Sequence, residues 1–500
     1  MIEGILIGLE TAFSLKNLMM VMIGCFSGTI IGMLPGLGPM TAIALMIPIT
    51  YGFEPSTGLI LMAGVYYGAV FGGSTSSILI NAPGIPGTVA TSFDGYPMAQ
   101  QGKAGKALAI AAYSSFAGGT IAAIFLLIAA PSLSKISLAF RSPDYFGLMI
   151  LGLTAVSAFS AKGHFLKAMM MVVLGLMLAS VGQDTLSDIP RFTFQNMNLS
   201  DGISFVLVVM ATFAMSEALT IIFKANDPTR VAKQISLSQL GSIKLDKVET
   251  KKMVTTIPRS SVLGFIIGVL PGAGSTIASF LAYGMERNFV NDEEKQKFGK
   301  GSVNGLAAPE TANNAACSGS FVPLLTLGIP GSGTTAVMLG ALLGFGIQPG
   351  PRLYQTNPEI FWSVIMSMYI GMVILLILNL PLIPYIARVL ATPRTFLIPL
   401  ILFFSVTGIY LMSFNNFDIY LMIGIAVFAT ILRLYDFPMP PLILAFVLGG
   451  LMEENLRRSL LISDGSWNFL WDRPLTLIIM LIIIFIIVWQ IYKSFLRNKL

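Results

Sequence analysis

The sequence has little charge. Only 11% of its 500 residues are Asp, Glu, Lys or Arg, whereas 55% are hydrophobic and the mean hydropathy is +0.80. A soluble domain usually has about 25% charged residues. Covering a soluble body of 53.7 kDa with so few charges would leave large apolar patches in water. The composition therefore excludes a soluble enzyme and a disordered chain, and it predicts an all-α polytopic protein of the lipid bilayer.

Residues that carry redox or metal chemistry are also scarce. The chain has two cysteines, Cys25 and Cys317, and a single histidine, His164. These few residues give neither a disulfide framework nor the ligand spacing of a zinc or haem site. There is no Walker A pattern and no nucleophile–base pair, so we expect no catalytic residue, no cofactor and no enzymatic activity. The net charge of +6 fits basic cytoplasmic loops better than nucleic-acid binding.

Hydrophobic segments of two lengths occur along the chain. Because a bilayer core needs roughly 20 apolar residues per helix, the sequence predicts about 10 to 14 spans, with broken or re-entrant half-helices included. Four stretches are nearer half a membrane in length, namely 39–51, 260–270, 275–285 and 440–452. Short segments interrupted by Gly and Pro must be packed inside protein or line a wet cavity. They are therefore where the binding site of a transporter is to be sought.

A basic segment divides the chain. Residues 224–259 form the longest polar stretch, and its excess of Lys and Arg predicts a cytoplasmic linker. The linker separates a first transmembrane half, 1–223, from a second half, 260–435. Further transmembrane segments follow in 436–500.

The two halves contain the same motifs in the same order. GTIIGMLPGLG at 28–38 and GFIIGVLPGAG at 264–274 agree at eight of eleven positions, at an offset of 236. GIPG recurs at 84–87 and 328–331, at an offset of 244, and this alignment places Ser74 and Ser76 on Ser318 and Ser320. The pattern indicates an internal duplication. If 18–51 is a re-entrant hairpin, an odd number of spans precedes the second copy and the repeats are inverted; if 18–51 is one broken span, they are not.

The repeated motifs supply neutral hydrogen-bond donors. Glycines let backbone amides approach a ligand, and the N-terminus of a half-helix favours an anion. Hydroxyl and amide groups can bind carboxylates or sodium without placing a full charge in the membrane. The candidate substrate-binding residues are Gly36, Gly38, Ser74, Thr75, Ser76, Asn81, Gly87, Gly272, Gly274, Ser275, Thr276, Asn313, Asn314, Ser318, Ser320, Thr326 and Gly331.

Each of these small residues has a simpler interpretation, because Gly, Ser and Thr also permit tight helix packing in membranes. Packing does not explain Pro-Gly breaks at matching places in two halves, which favour a transporter site. Glu310 is a candidate for a coupling-cation site, sodium or proton. The alternative for Glu310 is a satisfied carboxylate at a helix end.

At these motifs the chain resembles the large membrane subunit of the tripartite tricarboxylate transporters, the TctA family. The resemblance rests on four long strings and covers essentially the whole chain. They are GTIIGMLPGLGPMTAIALMIP (28–48), FGGSTSSILINAPGIPGTVATSFDGYPMA (71–99), GFIIGVLPGAGSTIASFLAYG (264–284) and PETANNAACSGSFVPLLTLGIPGSGTTAVMLGAL (309–342).

The resemblance implies a multi-pass carrier of the bacterial inner membrane. It implies two partners, a small membrane subunit with about four spans and a periplasmic solute-binding protein that delivers the substrate. It also implies uptake of tricarboxylates such as citrate, or related organic anions, driven by a sodium or proton gradient. The alternatives are a stand-alone carboxylate carrier and an anion channel, neither of which needs a binding protein.

Overall fold

A computed structural model describes residues 2–34, 37–158, 165–184, 189–223, 241–386 and 394–497. These residues are helical almost throughout, which confirms the all-α prediction. The described strands form one short antiparallel pair, β1 (Gly182–Gln183) with β2 (Pro190–Arg191), in which Gly182 faces Arg191.

The first half contains ten helices among the described residues. They are α1 (Ile2–Ala12), α2 (Leu15–Met33), α3 (Pro39–Thr50), α4 (Pro55–Ile80), α5 (Val89–Met98), α6 (Ala104–Ser137), α7 (Ser142–Ala158), α8 (Phe165–Ala179), α9 (Phe205–Val209) and α10 (Ser216–Phe223). A 3-10 turn, Pro86–Thr88, leads into α5. A π-helical segment, Met210–Met215, joins α9 to α10.

The second half and the C-terminal segments contain the remaining described helices. They are α11 (Lys247–Val269), α12 (Gly274–Phe289), α13 (Asp292–Lys295), α14 (Val303–Gly319), α15 (Phe321–Leu327), α16 (Gly333–Gly344), α17 (Leu353–Thr356), α18 (Pro358–Asn379), α19 (Ile383–Ile386), α20 (Arg394–Ser413), α21 (Asn416–Leu434), α22 (Pro440–Ile462) and α23 (Pro474–Arg497).

Among the described residues, six helical stretches are long and apolar enough to cross a bilayer. They are Leu15–Met33, Pro55–Ile80, Pro86–Ile136, Phe205–Phe223, Pro358–Asn379 and Asn416–Leu434. Shorter apolar helices accompany them, including Pro39–Thr50 and Gly333–Gly344. The structure is therefore that of a polytopic membrane protein, with long spans and shorter helices as predicted.

Two of the four predicted half-length segments are wrong. Residues 260–270 are the end of α11, which has 23 residues, and 440–452 begin α22, which also has 23. Charged residues had concealed the lengths of these helices: α11 begins inside the polar linker, and α22 continues through Glu453, Glu454, Arg457 and Arg458. The other two segments, α3 and α12, are short, with 12 and 16 residues.

The linker ends in a helix cap. Residues 224–240 lie outside the described part of the chain, and α11 begins after Asp246. The Asp246 carboxylate accepts hydrogen bonds from the backbone amides of Val248 and Glu249, at 2.9 and 2.8 Å. The bond from the Glu249 amide is the main cause that lowers the pKa of Asp246. A carboxylate at this place also favours the positive end of the helix dipole.

The same glycine contact occurs in both halves. A Cβ at Gly28 of α2 would lie 2.3 Å from the carbonyl oxygen of Val65 in α4. A Cβ at Gly264 of α11 would lie 2.4 Å from the carbonyl oxygen of Ala312 in α14. Glycine is thus required for the close approach of α2 to α4 and of α11 to α14.

Two further glycine contacts correct the alignment of the two halves. A Cβ at Gly84 would lie 2.0 Å from the Gly32 oxygen, and a Cβ at Gly331 would lie 3.0 Å from the Gly268 oxygen. Gly32 and Gly268 are a matched pair, so Gly84 matches Gly331 at an offset of 247 rather than 244. The left-handed residues that end α4 and α15 are Asn81 (φ 50°) and Gly328 (φ 68°), and they are separated by the same offset of 247.

The pairing of Ser74 and Ser76 with Ser318 and Ser320 is therefore wrong by three residues. It rested on the identical letters GIPG, whereas the equivalent segments are Asn81–Gly84 and Gly328–Gly331. The first motif pair, at an offset of 236, is unaffected. The relative direction of the repeats in the membrane stays a prediction.

Ionic groups cluster at both ends of α6, which at 34 residues is about 50 Å long. Near its start, Lys106 pairs with Glu249 at 2.8 Å. Just beyond its end, the buried carboxylate of Asp144 pairs with Arg473 at 2.8 Å. The length of α6 between these pairs matches the thickness of a bilayer with its polar interfaces.

Two glycine-to-alanine substitutions test the helix contact. Gly284 is an exposed position of α12 where an added Cβ would have no neighbour within 4 Å, so Gly284→Ala should stabilise the protein by about 1 kcal/mol through helix propensity. Gly264→Ala should instead destabilise it by about 1–3 kcal/mol, because α11 and α14 must separate. Thermal unfolding of both variants in detergent measures the difference. Equal melting temperatures would contradict the proposed role of Gly264.

Candidate functional site

Helices α2 and α11 end with the same local geometry. Leu34 and Leu270 leave α2 and α11 with extended backbone, at ψ 116° and 121°. Beyond the break, Gly272 has a φ of +81° and donates its N–H to the Gly331 oxygen at 3.0 Å. A side chain is strained at this φ, and a Cβ there would lie 2.5 Å from the Val156 nitrogen. Gly36 lies outside the described residues.

A short helix begins after each break. Neither α3, which follows Gly38, nor α12, which begins at Gly274, has a side-chain cap for its first-turn amides. Gly274 has a φ of +61°, and a Cβ there would have no neighbour within 4 Å. Ser275 and Thr276 add hydroxyl groups at partly exposed positions of the same turn. The uncapped start of α12 therefore presents amide and hydroxyl donors to open space.

Each short helix contacts the opposite half. The Pro86–Thr88 turn of the first half packs against α12, and α3 packs against α16 of the second half. A Cβ at Gly87 would lie 2.8 Å from the Asn313 Oδ1 and 2.9 Å from the Ser275 Oγ. Gly87, Ser275 and Asn313, which come from three elements and both halves, thus meet at one place.

Asn313 is the least satisfied polar side chain at this place. It is fully buried in α14, and neither its Nδ2 nor its Oδ1 has a hydrogen-bond partner. A buried amide group without partners costs roughly 1–3 kcal/mol, so an unpaired one needs an explanation. A ligand oxygen that accepts from the Asn313 Nδ2 would supply part of it.

A second cluster surrounds Glu310, one turn earlier on α14. Its carboxylate is fully buried and accepts hydrogen bonds from the Ser74 and Ser115 hydroxyls, each at 2.8 Å. The Thr91 hydroxyl donates a further bond to Oε1. The alternative drawn from the sequence, a satisfied carboxylate at a helix end, is wrong about the position, because Glu310 lies within α14. Its hydroxyl partners Ser74, Thr91 and Ser115 all belong to the first half.

Close packing of α6 on α14 brings Ser115 within hydrogen-bonding distance of Glu310. A Cβ at Gly118 would lie 2.4 Å from the Thr311 carbonyl oxygen, so glycine lets the two backbones approach. Ser115 lies one turn before Gly118 on the same face of α6. Its short side chain then reaches Glu310.

Several other predicted site residues serve the helices themselves. The Ser76, Ser320 and Thr326 hydroxyls donate to backbone oxygens within their own helices, at 3.1, 2.8 and 2.8 Å. Asn81 is exposed and ends α4. Gly331 packs against Ser320. These contacts favour the packing interpretation for this group.

The remaining predicted residues lie in the buried core. Thr75 is inside α4. The Asn314 Nδ2 donates to the Glu310 backbone oxygen at 3.1 Å, and its Oδ1 has no partner. Ser318 lies 2.6 Å from the Tyr67 hydroxyl and donates to the Gly119 oxygen at 3.2 Å.

Sequence reasoning did not include Thr91 and Ser115 among the site residues. A signal for Ser115 was present, since Ser114-Ser115-Phe116-Ala117-Gly118-Gly119 places small and polar residues inside a long apolar helix. Thr91 had no such signal. It reaches Glu310 only because the Pro86–Thr88 turn directs α5 towards α14.

The model of the family described as "Tripartite tricarboxylate transporter TctA family" matches residues 18–444. The chain belongs to the TctA family. A protein of Agrobacterium vitis described as "Uncharacterized 52.8 kDa protein in TAR-I ttuC' 3'region" is 42% identical over 466 residues, or 93% of this chain and 91% of the relative. A second, "Uncharacterized protein in TAR-II ttuC' 3'region", is 42% identical over 212 residues, or 42% of this chain and 87% of the relative.

Membership makes the chain the large subunit of a tripartite tricarboxylate transporter, a multi-pass membrane protein that works with other subunits. The match to a transporter family also accords with the expectation that the chain is not an enzyme. Both helix breaks and both groups on α14 lie inside the matched region of the TctA family.

Two variants test the Asn313 site. Asn313→Leu removes both hydrogen-bonding atoms, and Gly87→Ala places a methyl group against Asn313 and Ser275. Each should raise the KM of transport at least about tenfold, the loss expected for one or two good hydrogen bonds. The control is Asn379→Leu, which alters a buried asparagine of α18 whose Oδ1 is also unpaired. An unchanged KM in both site variants, with normal membrane insertion, would contradict this assignment.

Proposed function

We propose that this chain carries a tricarboxylate or related organic anion across the bacterial inner membrane by secondary active transport. Uptake is driven by a sodium or proton gradient. A periplasmic solute-binding protein delivers the substrate, and a small membrane subunit of about four spans completes the complex. The family supports the general assignment, and the site geometry supports an anionic substrate.

The observation that carries this proposal is the meeting of Asn313, Ser275 and the uncapped start of α12. A carboxylate has acceptor oxygens only, and it is matched by amide N–H groups, a hydroxyl and the Nδ2 of Asn313. The partial positive charge at the helix start adds attraction without a buried cation. Neutral donors of this kind suit several carboxylates, as expected for a substrate class rather than a single anion.

The position of the site supports alternating access. Gly87 belongs to the first half, whereas Asn313 and Ser275 belong to the second, so movement between the halves would change the site. Binding sites of secondary transporters commonly lie at such repeat interfaces, on broken helices near the midplane. A gradient-driven carrier would use this interface to open to one side at a time.

Reconstitution tests the proposal. Proteoliposomes with the chain, with and without the small subunit and the binding protein, receive labelled citrate under an inward sodium gradient, an inward proton gradient or no gradient. We expect accumulation above the external concentration only with a gradient and the binding protein present. The sodium and proton arms identify the coupling ion.

The alternative functions give different results in the same assay. An anion channel would equilibrate citrate without a gradient or a binding protein. A stand-alone carrier would accumulate citrate at the same rate when both partners are omitted. Either result would contradict the proposed dependence on partners.

A further inference from the structure

We propose that Glu310 is the residue at which the coupling cation binds, and that this cation makes carboxylate binding at Asn313 favourable. The inference rests on the proposed function, because it assigns the coupling step of that same site. It is carried by the surroundings of Glu310 and by the relative positions of Glu310 and Asn313.

Oxygen atoms surround the Glu310 carboxylate. The hydroxyls of Ser74, Thr91 and Ser115 come from three elements of the first half. On the next turn of α14, the Asn314 Nδ2 donates to the Glu310 backbone oxygen at 3.1 Å, and the buried Asn314 Oδ1 has no hydrogen-bond partner. Carboxylate, hydroxyl and amide oxygens are ligands that hard cations prefer.

No protein cation neutralises this carboxylate. Among the residues that the structure describes, no Lys, Arg or His lies within ion-pairing distance of Glu310. Two other buried carboxylates of the helical body differ: Glu286 pairs with Arg259 at 2.7 Å, and Asp144 pairs with Arg473 at 2.8 Å. A third, Asp94, accepts hydrogen bonds from two backbone amides instead. A buried carboxylate without a cationic partner is costly, and binding of a small cation removes that cost.

The ionisable groups on the elements around α14 are otherwise engaged. Asp94 of α5 accepts hydrogen bonds from the backbone amides of Gly301 and Ser302, near the start of α14. Lys106 of α6 pairs with Glu249, and Glu286 of α12 with Arg259 of α11. Within the buried core, Tyr67 contacts Ser318, and Tyr66 lies 3.5 Å from the Ser332 Oγ. Cys317 is a buried free thiol two turns beyond Glu310 on α14.

The spacing on α14 connects the cation to the substrate. Glu310 and Asn313 are three residues apart, so their side chains share one face of the helix, with Cβ atoms about 5–6 Å apart. A carboxylate bound at Asn313 would be repelled by an ionised Glu310 across a poorly screened interior. A cation on Glu310 removes this repulsion, which gives positive coupling between the two binding events.

Glu310 of the second repeat has no acidic counterpart in the first repeat. At the structural offset of 247, Glu310 matches Ala63, and Asn313 and Asn314 match Tyr66 and Tyr67. The second half alone therefore has an acid at this position, and among the described residues its carboxylate is hydrogen-bonded only by side chains of the first half. Its neutralisation would change the strength of a contact between the halves.

Citrate binding to the purified protein tests this inference. Citrate affinity is measured by calorimetry for the wild type and Glu310→Gln, once across sodium concentrations at fixed pH and once across pH without sodium. For the wild type we expect affinity to rise at least about tenfold as one of the two cations saturates its site, which distinguishes sodium from protons. Glu310→Gln, which is permanently neutral, should bind citrate with high affinity and without cation dependence.

Two further variants make the outcome decisive. Glu286→Gln alters another fully buried glutamate and should keep the wild-type cation dependence. Ser115→Ala removes one hydroxyl and should shift the half-saturating cation concentration while citrate binding stays cation-dependent. This variant tests the inference even if Glu310→Gln fails to fold. Cation dependence in Glu310→Gln equal to that of the wild type, or an unshifted Ser115→Ala, would overturn the inference alone. A wild type that binds no carboxylate under any condition would contradict the proposed function as well.

Discussion

The close approach of α2 to α4 and of α11 to α14 is the contact that holds the two broken helices in the protein. Gly28 and Gly264 face backbone oxygens of the partner helix at distances that no side chain tolerates. Since α4 and α14 are buried along almost their whole lengths, α2 and α11 each run against a buried helix up to the break. Beyond the second break, the Gly272 amide donates to the Gly331 oxygen, whereas the first-turn amides of α12 have no side-chain cap and lie at partly exposed positions.

This constraint explains how an anion can be recognised with few charges. The sequence has few charged residues, and so does the proposed substrate site. There Asn313, Ser275 and the start of α12 offer dipoles instead of cations. Dipoles avoid the cost of a buried cation when the substrate is absent. The exception is Glu310, whose negative charge opposes the substrate and, in our account, ties substrate binding to a gradient.

Much of this could be predicted from the sequence. The LPGxG motifs specified both helix breaks, because Pro and Gly interrupt apolar helices in a way that few other residues do. The roles of individual polar residues were less predictable: Ser76 and Thr326 bond to their own helices, whereas Ser115 reaches across to Glu310, and all three are small polar residues in apolar helices. Which of them faces a neighbour depends on helix rotation, which no local pattern specifies.

The error in the repeat alignment has a similar cause. Identical letters, GIPG, were matched, whereas the fold matches the left-handed residues Asn81 and Gly328 that end equivalent helices. The backbone conformation is the same at these two positions, whereas matching the identical GIPG letters shifts the alignment by three residues. With the corrected offset Glu310 is equivalent to Ala63, so the first repeat has no acid at the matching position.

The most direct test of the central claim asks where the carboxylate binds. Thr276→Cys introduces a thiol at the start of α12, and the native thiols of Cys25 and Cys317 are fully buried, so labelling reports on the new position. Our account predicts that saturating citrate slows labelling of Thr276→Cys and that adding Asn313→Leu removes this protection. A labelling rate that citrate leaves unchanged, at concentrations that saturate uptake, would contradict it.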